Sequence, residues 1–260
     1  MEKYFEHKNL LSPPIKRAAY SDRTAWMMAE FSRLSYESPA DIEKNLSGSD
    51  FKLKKMFINE KTDTEGFLIE GSKFAILVFR GTEKQLKDIK TDMKFKFKKS
   101  ELGYKIHSGF LRSFKSVEEN LKKEIDALGD ETPIYITGHS LGGALAIIAT
   151  AFLQRDNIAA CYTFGSPKLS EGSFADYIKI PIYRVRNYLD PVPNLPMWQK
   201  HVGNTFLLTE GGRLRSGEDG FFPNLGFWVG RFYKIKTKFT DHSIANYCKK
   251  LAAYALSRNG

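Results

Sequence analysis

Apolar positions along the chain follow two periods, one helical and one extended. Between Asp22 and Ser35, apolar residues recur at Ala25, Met28, Ala29, Phe31 and Leu34, the three-to-four spacing of one helical face. Ser21 or Asp22 is placed to cap that helix, and Pro39 is read as the end of the run. Phe67 to Glu70 reads as a strand, Gly71-Ser72 as a turn, and Phe74 to Phe79 as the returning strand. The returning strand is apolar throughout, as expected where both faces of a sheet are covered. Further helices are predicted from Val117 to Leu128, after the turn at Ser140 from Ala144 to Leu153, and from Ser243 to Ser257. Further strands are predicted at Ile134 to Thr137, Ile158 to Phe164, Ile182 to Arg186 and Thr205 to Thr209. Strands alternating with helices predict an α/β fold, a central, mostly parallel or mixed sheet flanked by helices. Residues 1–20, charged and broken by Pro13-Pro14, are expected to form a flexible N-terminal arm. Residues 21–260 are expected to form a single domain.

Composition narrows the function classes. Hydrophobic residues make up 42% and charged residues 27% of the 260, ordinary globular usage that excludes a wholly disordered, collagenous or coiled-coil chain. Lys and Arg number 40 against 30 Asp and Glu, a formal net charge of +10, which favours an anionic partner. No stretch has the ~18 apolar residues of a membrane-spanning helix. Cys161 and Cys248 are too few for a disulfide framework, and residues 1–20 contain no apolar core of a secretory leader. The location expected from these features is cytoplasmic, or exported without a Sec-type signal peptide.

Candidate chemistry centres on Gly138-His139-Ser140-Leu141-Gly142, a G-x-S-x-G motif between a predicted strand and a predicted helix. In that setting the turn strains the serine and presents its hydroxyl at the carboxyl edge of the sheet, where the helix start adds backbone N–H groups. A serine hydroxyl needs a base, commonly a histidine oriented by a carboxylate, in the chain order Ser, Asp or Glu, His. His242 and His201 both follow Ser140; His242, at the start of a helix after a long loop, is preferred, with His201 as the alternative. Asp190 follows the strand ending at Arg186 and is the preferred carboxylate, with Asp176 as the alternative; Asp241 stands too close in sequence to His242 to orient it. The oxyanion of an acyl intermediate would be met by the backbone N–H of Leu141 and by Thr82, which follows the apolar strand in Arg80-Gly81-Thr82. No His/Cys/Asp/Glu cluster has metal-ligand spacing and no phosphate or dinucleotide fingerprint occurs, so no metal or cofactor is expected.

Several segments together resemble the class 3, or fungal-type, lipases of the α/β-hydrolase fold. They are Val78-Phe79-Arg80-Gly81-Thr82, His107-Ser108-Gly109-Phe110, Ile136 to Ala146 around the elbow, and Thr163-Phe164-Gly165-Ser166-Pro167. Tyr183 to Pro193 and Asp241 to Tyr247 complete the set. These occur in family order. The resemblance implies an α/β-hydrolase with Ser140, Asp190 and His242 as catalytic triad and with Thr82 and Leu141 as oxyanion donors. The chain departs from the family in the stretch after Thr82, which lacks tryptophan, and in reading Lys168-Leu169-Ser170 where the family often has Arg-Val-Gly.

Two further stretches bear on the partner. Residues 83–99 are expected to form a lid and the strand after it. Lys84, Lys87, Lys90, Lys94, Lys96, Lys98 and Lys99 fall there, and Met93 to Lys98 alternates apolar and basic residues. Residues 211–239 read as an aromatic and basic insertion leading to His242. The expected function is hydrolysis of carboxylic esters of lipids by a lipase, phospholipase A or monoacylglycerol lipase, with peripheral contact to an anionic membrane surface. The alternatives are a non-catalytic lipid- or protein-binding module on the same fold, or an esterase of small soluble esters. Nucleic acid is not an expected partner.

Overall fold

A computed structural model describes residues 3–11, 19–82, 96–171, 173–196, 200–217 and 239–259. The helices are α1 (Asp22–Leu34), α2 (Pro39–Leu46), α3 (Ser108–Lys115), α4 (Glu118–Asp126), α5 (Leu141–Leu153), α6 (Phe174–Tyr177), α7 (Phe239–His242) and α8 (Ile244–Asn259). The strands are β1 (Lys52–Asn59), β2 (Thr64–Glu70), β3 (Ala75–Phe79), β4 (Phe97–Lys99), β5 (Lys105–His107), β6 (Ile134–His139), β7 (Ile158–Phe164), β8 (Ile182–Asn187), β9 (Asn204–Leu208) and β10 (Leu214–Ser216). Eight of them form one sheet in the order β1-β2-β3-β6-β7-β8-β9-β10; β4 and β5 form a separate antiparallel pair.

The middle of the large sheet is parallel, from β3 through β6, β7 and β8 to β9, and both ends close with antiparallel neighbours. Parallel strands need covered connections, which explains the apolar runs seen in the sequence. In β3 the alternation divides between faces: Ala75, Leu77 and Phe79 join a core with α3, α4 and α5, and Ile76 and Val78 join a second core with α1 and α8. Helix α5 is buried from Leu141 through Ala151, so its small and aliphatic side chains need no polar face.

Local chemistry sets the helix starts. Ser21 caps α1 by accepting from the Thr24 N–H at 3.3 Å. Pro39, expected only to end the first helix, begins the second: Ser38 caps it and Pro39 takes the first turn, where its missing N–H costs nothing. Of the expected N-terminal arm, residues 3–11 lie against α1. Phe5 and Leu10 are buried, the Phe5 N–H donates to Glu30 at 3.2 Å, and the Arg33 guanidinium stacks 3.9 Å from the Tyr4 ring centre. Residues 12–18 lie outside the described residues. Among the described residues, no helix is long and apolar enough to cross a membrane.

Candidate active site

Strand β6 ends at His139 and α5 begins at Leu141, leaving Ser140 alone to turn the chain. Its backbone sits at φ 57° and ψ −126°, a conformation that costs a non-glycine residue of the order of 1–3 kcal/mol. The surroundings enforce it. A Cβ on Gly138 would lie 2.3 Å from the Gly142 carbonyl carbon, and one on Gly142 would lie 2.2 Å from the Phe79 carbonyl oxygen. The two glycines let strand, turn and helix pack directly against the end of β3. The Ser140 N–H is anchored to the Phe164 carbonyl at 2.8 Å, and the Gly143 N–H returns to the Ser140 carbonyl at 3.0 Å.

Two distant segments converge on the Ser140 hydroxyl. His242, at the end of α7, places Nε2 2.9 Å from Ser140 Oγ and Nδ1 2.8 Å from Asp190 Oδ2. Asp190 follows β8 and is fully buried. A carboxylate only accepts, so Nδ1 carries the proton, and the lone pair of Nε2 accepts from the serine O–H. Asp190 is held in turn: the Val192 N–H donates to Oδ1 at 2.9 Å and the Tyr247 hydroxyl donates to Oδ2 at 2.6 Å. Tyr247 accepts from the Asn187 N–H at 2.9 Å. Burial, with the charge of Asp190 beside it, holds the Tyr247 hydroxyl well above the usual phenol range, so it stays a donor.

The two expected oxyanion donors flank this chain. Leu141 is the first residue of α5, and the opening N–H groups of a helix have no carbonyl one turn back to bond. Thr82 follows β3, and its Oγ1 is buried with no hydrogen-bond partner among the described residues.

The alternatives lie elsewhere. Asp176 is on α6, where its carbonyl accepts from Lys179. His201 is held well below the usual histidine range by burial and by Arg184, Lys168 and Arg186. The Asp241 carbonyl accepts from the Asn187 side chain at 3.0 Å. Three residues at the site escape the sequence reading: Tyr247, His139 and Tyr36. Tyr247 was detectable in principle as a hydroxyl on the buried face that α8 shares with Cys248, Leu251 and Ala255. His139 bonds the His242 carbonyl and the Tyr36 hydroxyl, and neither partner follows from any sequence pattern. Of the expected lid and insertion, residues 83–95 and 218–238 lie outside the described residues; Phe97–Lys99 pairs with β5, and Leu214–Ser216 extends the sheet edge.

A mixed sheet with helices on both faces, with a strained serine between strand and helix and with Ser, Asp and His in that chain order, is the architecture of the α/β-hydrolase fold. The family described as "Lipase (class 3)" matches residues 76–200. A secreted mono- and diacylglycerol lipase 1 of Fusarium solani is 39% identical over 101 residues, 36% of this chain and 30% of that protein. A lipase of Rhizopus niveus is 33% identical over 163 residues, 56% of this chain and 41% of that protein. The solved native Rhizomucor miehei lipase propeptide complex superposes with a TM-score of 0.65 at 27% identity, covering 76% of this chain and 72% of that one. Over residues 76–200 the chain is similar to the class 3 lipases, and its matches span less than half the length of those two curated relatives.

The expected location needs correction. A cytoplasmic site, or export without a Sec-type signal peptide, is overturned by relatives of which the Fusarium protein is named as secreted. Cys161 and Cys248 are both free and buried, and burial pushes the Cys161 thiol up to about 12, so neither thiol is poised to oxidise.

Proposed function

We propose that the protein is a serine hydrolase that cleaves carboxylic esters of lipids, with Ser140 as nucleophile, His242 as base and Asp190 as its orienting carboxylate. The observation that carries this reading is the continuous hydrogen-bonded chain from Ser140 Oγ through both ring nitrogens of His242 to Asp190. Ser140 Oγ adds to the acyl carbonyl as its proton passes to His242 Nε2. The carbonyl oxygen becomes an oxyanion, met by the Leu141 N–H and by Thr82. Collapse breaks the ester C–O bond, and His242 returns its proton to the departing alcohol. Water, deprotonated by the same Nε2, then attacks the acyl-serine, releasing the carboxylic acid and restoring the Ser140 hydroxyl.

Glycerides with one or two acyl chains are the proposed substrate class, supported by the activity in the name of the Fusarium relative. Export from the cell is supported by the same relative. Contact with an anionic lipid surface is supported by Lys96, Lys98, Lys99 and Lys105, all exposed on or beside the β4-β5 pair, each worth roughly 1 kcal/mol near such a surface.

The test is hydrolysis of a short p-nitrophenyl ester and of monoacylglycerol vesicles by wild type and by Ser140→Ala, with fluorophosphonate labelling in parallel. The wild type should turn over and label at Ser140, and the variant should do neither. Full hydrolysis by Ser140→Ala would refute the assignment.

A further inference from the structure

His139 takes no part in the proton transfers proposed above, yet it links separate segments around them. Its ring is buried and lies 4.6 Å, centre to centre, from that of His242. Its Nε2 is 2.7 Å from the backbone carbonyl oxygen of His242, and its Nδ1 is 2.7 Å from the hydroxyl of Tyr36. A carbonyl oxygen can only accept, so Nε2 carries the ring proton. Nδ1 is then a lone pair, and the Tyr36 O–H donates to it. The two partners thus fix one tautomer. Tyr36 lies just beyond α1, and its hydroxyl also borders the segment carrying Thr82: a Cβ on Gly81 would lie 2.6 Å from that hydroxyl and 2.6 Å from the His139 carbonyl oxygen. The Tyr36 ring is packed from outside by Arg80, 5.7 Å from the ring centre, which Glu65 holds at 2.6 Å.

We propose that Tyr36 and His139 form a clamp that positions the base, His242, by its main chain rather than by its ring. The proposal rests on the hydrolase reading of Ser140, His242 and Asp190. The bonds to the two ring nitrogens of His242 change character as the proton leaves Ser140 and returns. The bond to its carbonyl does not involve that proton and persists through both halves of the reaction. It is also needed locally. His242 closes the four-residue helix α7, and Ser243 separates it from α8, so little regular structure fixes that carbonyl. Charge makes the same demand. Burial first, and His242 second, hold His139 well below the usual histidine range. A neutral ring can sit against His242 without opposing the imidazolium that forms there, which a lysine or arginine could not do. Tyr36 and His139 are therefore positioning residues: neither touches the reacting atoms.

The experiment compares Tyr36→Phe, His139→Gln and His139→Asn on a short p-nitrophenyl ester, with fluorophosphonate labelling, thermal unfolding and the downfield NMR proton of the His242–Asp190 bond. Glutamine can bring an N–H to where Nε2 stands; asparagine reaches only far enough to accept from Tyr36. His139→Asn should lower kcat by up to about 100-fold with KM within about twofold, and should shift or broaden the downfield proton. His139→Gln should recover most of the kcat and the proton signal, and Tyr36→Phe should lose about tenfold. Wild-type kcat in folded His139→Asn and Tyr36→Phe would overturn the clamp. So would a His139→Gln protein no better than His139→Asn, which would make the ring a packing element only. Should neither His139 variant fold, Tyr36→Phe decides through kcat and the proton signal. A wild-type protein that neither turns over nor labels at Ser140 would instead refute the hydrolase reading, and the clamp with it.

Discussion

The hydroxyl of Tyr247 donates to Asp190 Oδ2 across 2.6 Å, sharing with His242 Nδ1 a single carboxylate oxygen. One oxygen accepting two donors is fixed in position, and that fixes the plane of the imidazole. Tyr247→Phe removes the donor to Asp190 and also leaves the Asn187 N–H without its acceptor. Losing a buried partner costs about 1–3 kcal/mol. Thermal unfolding should show that loss, while kcat on a soluble ester should fall by less than about tenfold, because the hydrogen bond from His242 to Asp190 survives.

Asp190→Asn should be far more damaging to turnover than to binding. An amide nitrogen in the place of Oδ2 would face two donors, His242 Nδ1 and the Tyr247 hydroxyl. An amide oxygen there would leave the nitrogen facing the Val192 N–H. The first arrangement forces His242 into the tautomer that points a proton at Ser140, the wrong state for a base. A fall in kcat on the order of 10⁴ is expected, with KM nearly unchanged. Either arrangement sets donor against donor, so a stability loss of about 1–3 kcal/mol should accompany it. Steady-state kinetics and urea unfolding on one preparation would separate the two effects.

The strands that build the sheet were legible because burial on both faces leaves no room for polar residues. Ala75–Phe79 and Ile158–Phe164 read as strands for that reason. Strand β1 was not legible. Its run Lys52-Leu53-Lys54-Lys55-Met56-Phe57 loses alternation at a bulge between Leu53 and Lys55, and within the strand only Phe57 is fully buried. Helix α2 was hidden by reading Pro39 as a stop, although proline also favours the first turn. Helix α3 was hidden by Ser108 and Gly109 at its start. At the site, side chains whose chemistry follows chain order were visible: Ser140, then Asp190, then His242. The bond from His139 to a backbone carbonyl was not, because a carbonyl is common to every residue and its position depends on the fold.

Gly165 faces the same carboxylate from the end of β7, at φ +59°. A Cβ there would lie 2.6 Å from Asp190 Oδ2 and 3.1 Å from the His242 ring. Gly165→Ala therefore combines a backbone penalty of more than about 1 kcal/mol with displacement of the two groups that orient each other. Activity should drop by about 100-fold or more while the protein still folds. Wild-type turnover in this variant would show that the spacing between Asp190 and His242 tolerates a methyl group.

Acid should weaken the fold through three partly or fully buried histidines, His107, His139 and His201. Burial lowers His107 from 6.5 to about 4, where its ring packs 4.3 Å from Phe110 and 5.9 Å from Phe97. The unfolded chain takes up this proton below 6.5, but the folded protein takes it up only near 4. The stability His107 gives is complete above 6.5 and is lost as pH falls from 6.5 towards about 4. His139 and His201 are also lowered by burial and act with the same sign, reaching further into acid. Urea midpoints measured across this window should decline for the wild type and decline less steeply for His107→Phe. Equal slopes would place the acid sensitivity in other groups.

Thr82 offers the sharpest separation of chemistry from folding. Its hydroxyl is buried without a partner among the described residues, and such a group costs a resting protein about 1–3 kcal/mol. A hydroxyl kept for packing alone would be better as a methyl. Thr82→Val keeps the shape and the backbone N–H and removes only that oxygen, so the melting temperature should stay the same or rise. If the hydroxyl is held for the oxyanion, kcat should fall by roughly 10²–10³ in the same protein. Opposite changes in stability and turnover are what an oxyanion donor requires. A hydroxyl held for packing alone would give the same or higher melting temperature with kcat untouched, so ester hydrolysis beside thermal unfolding on one sample distinguishes the two.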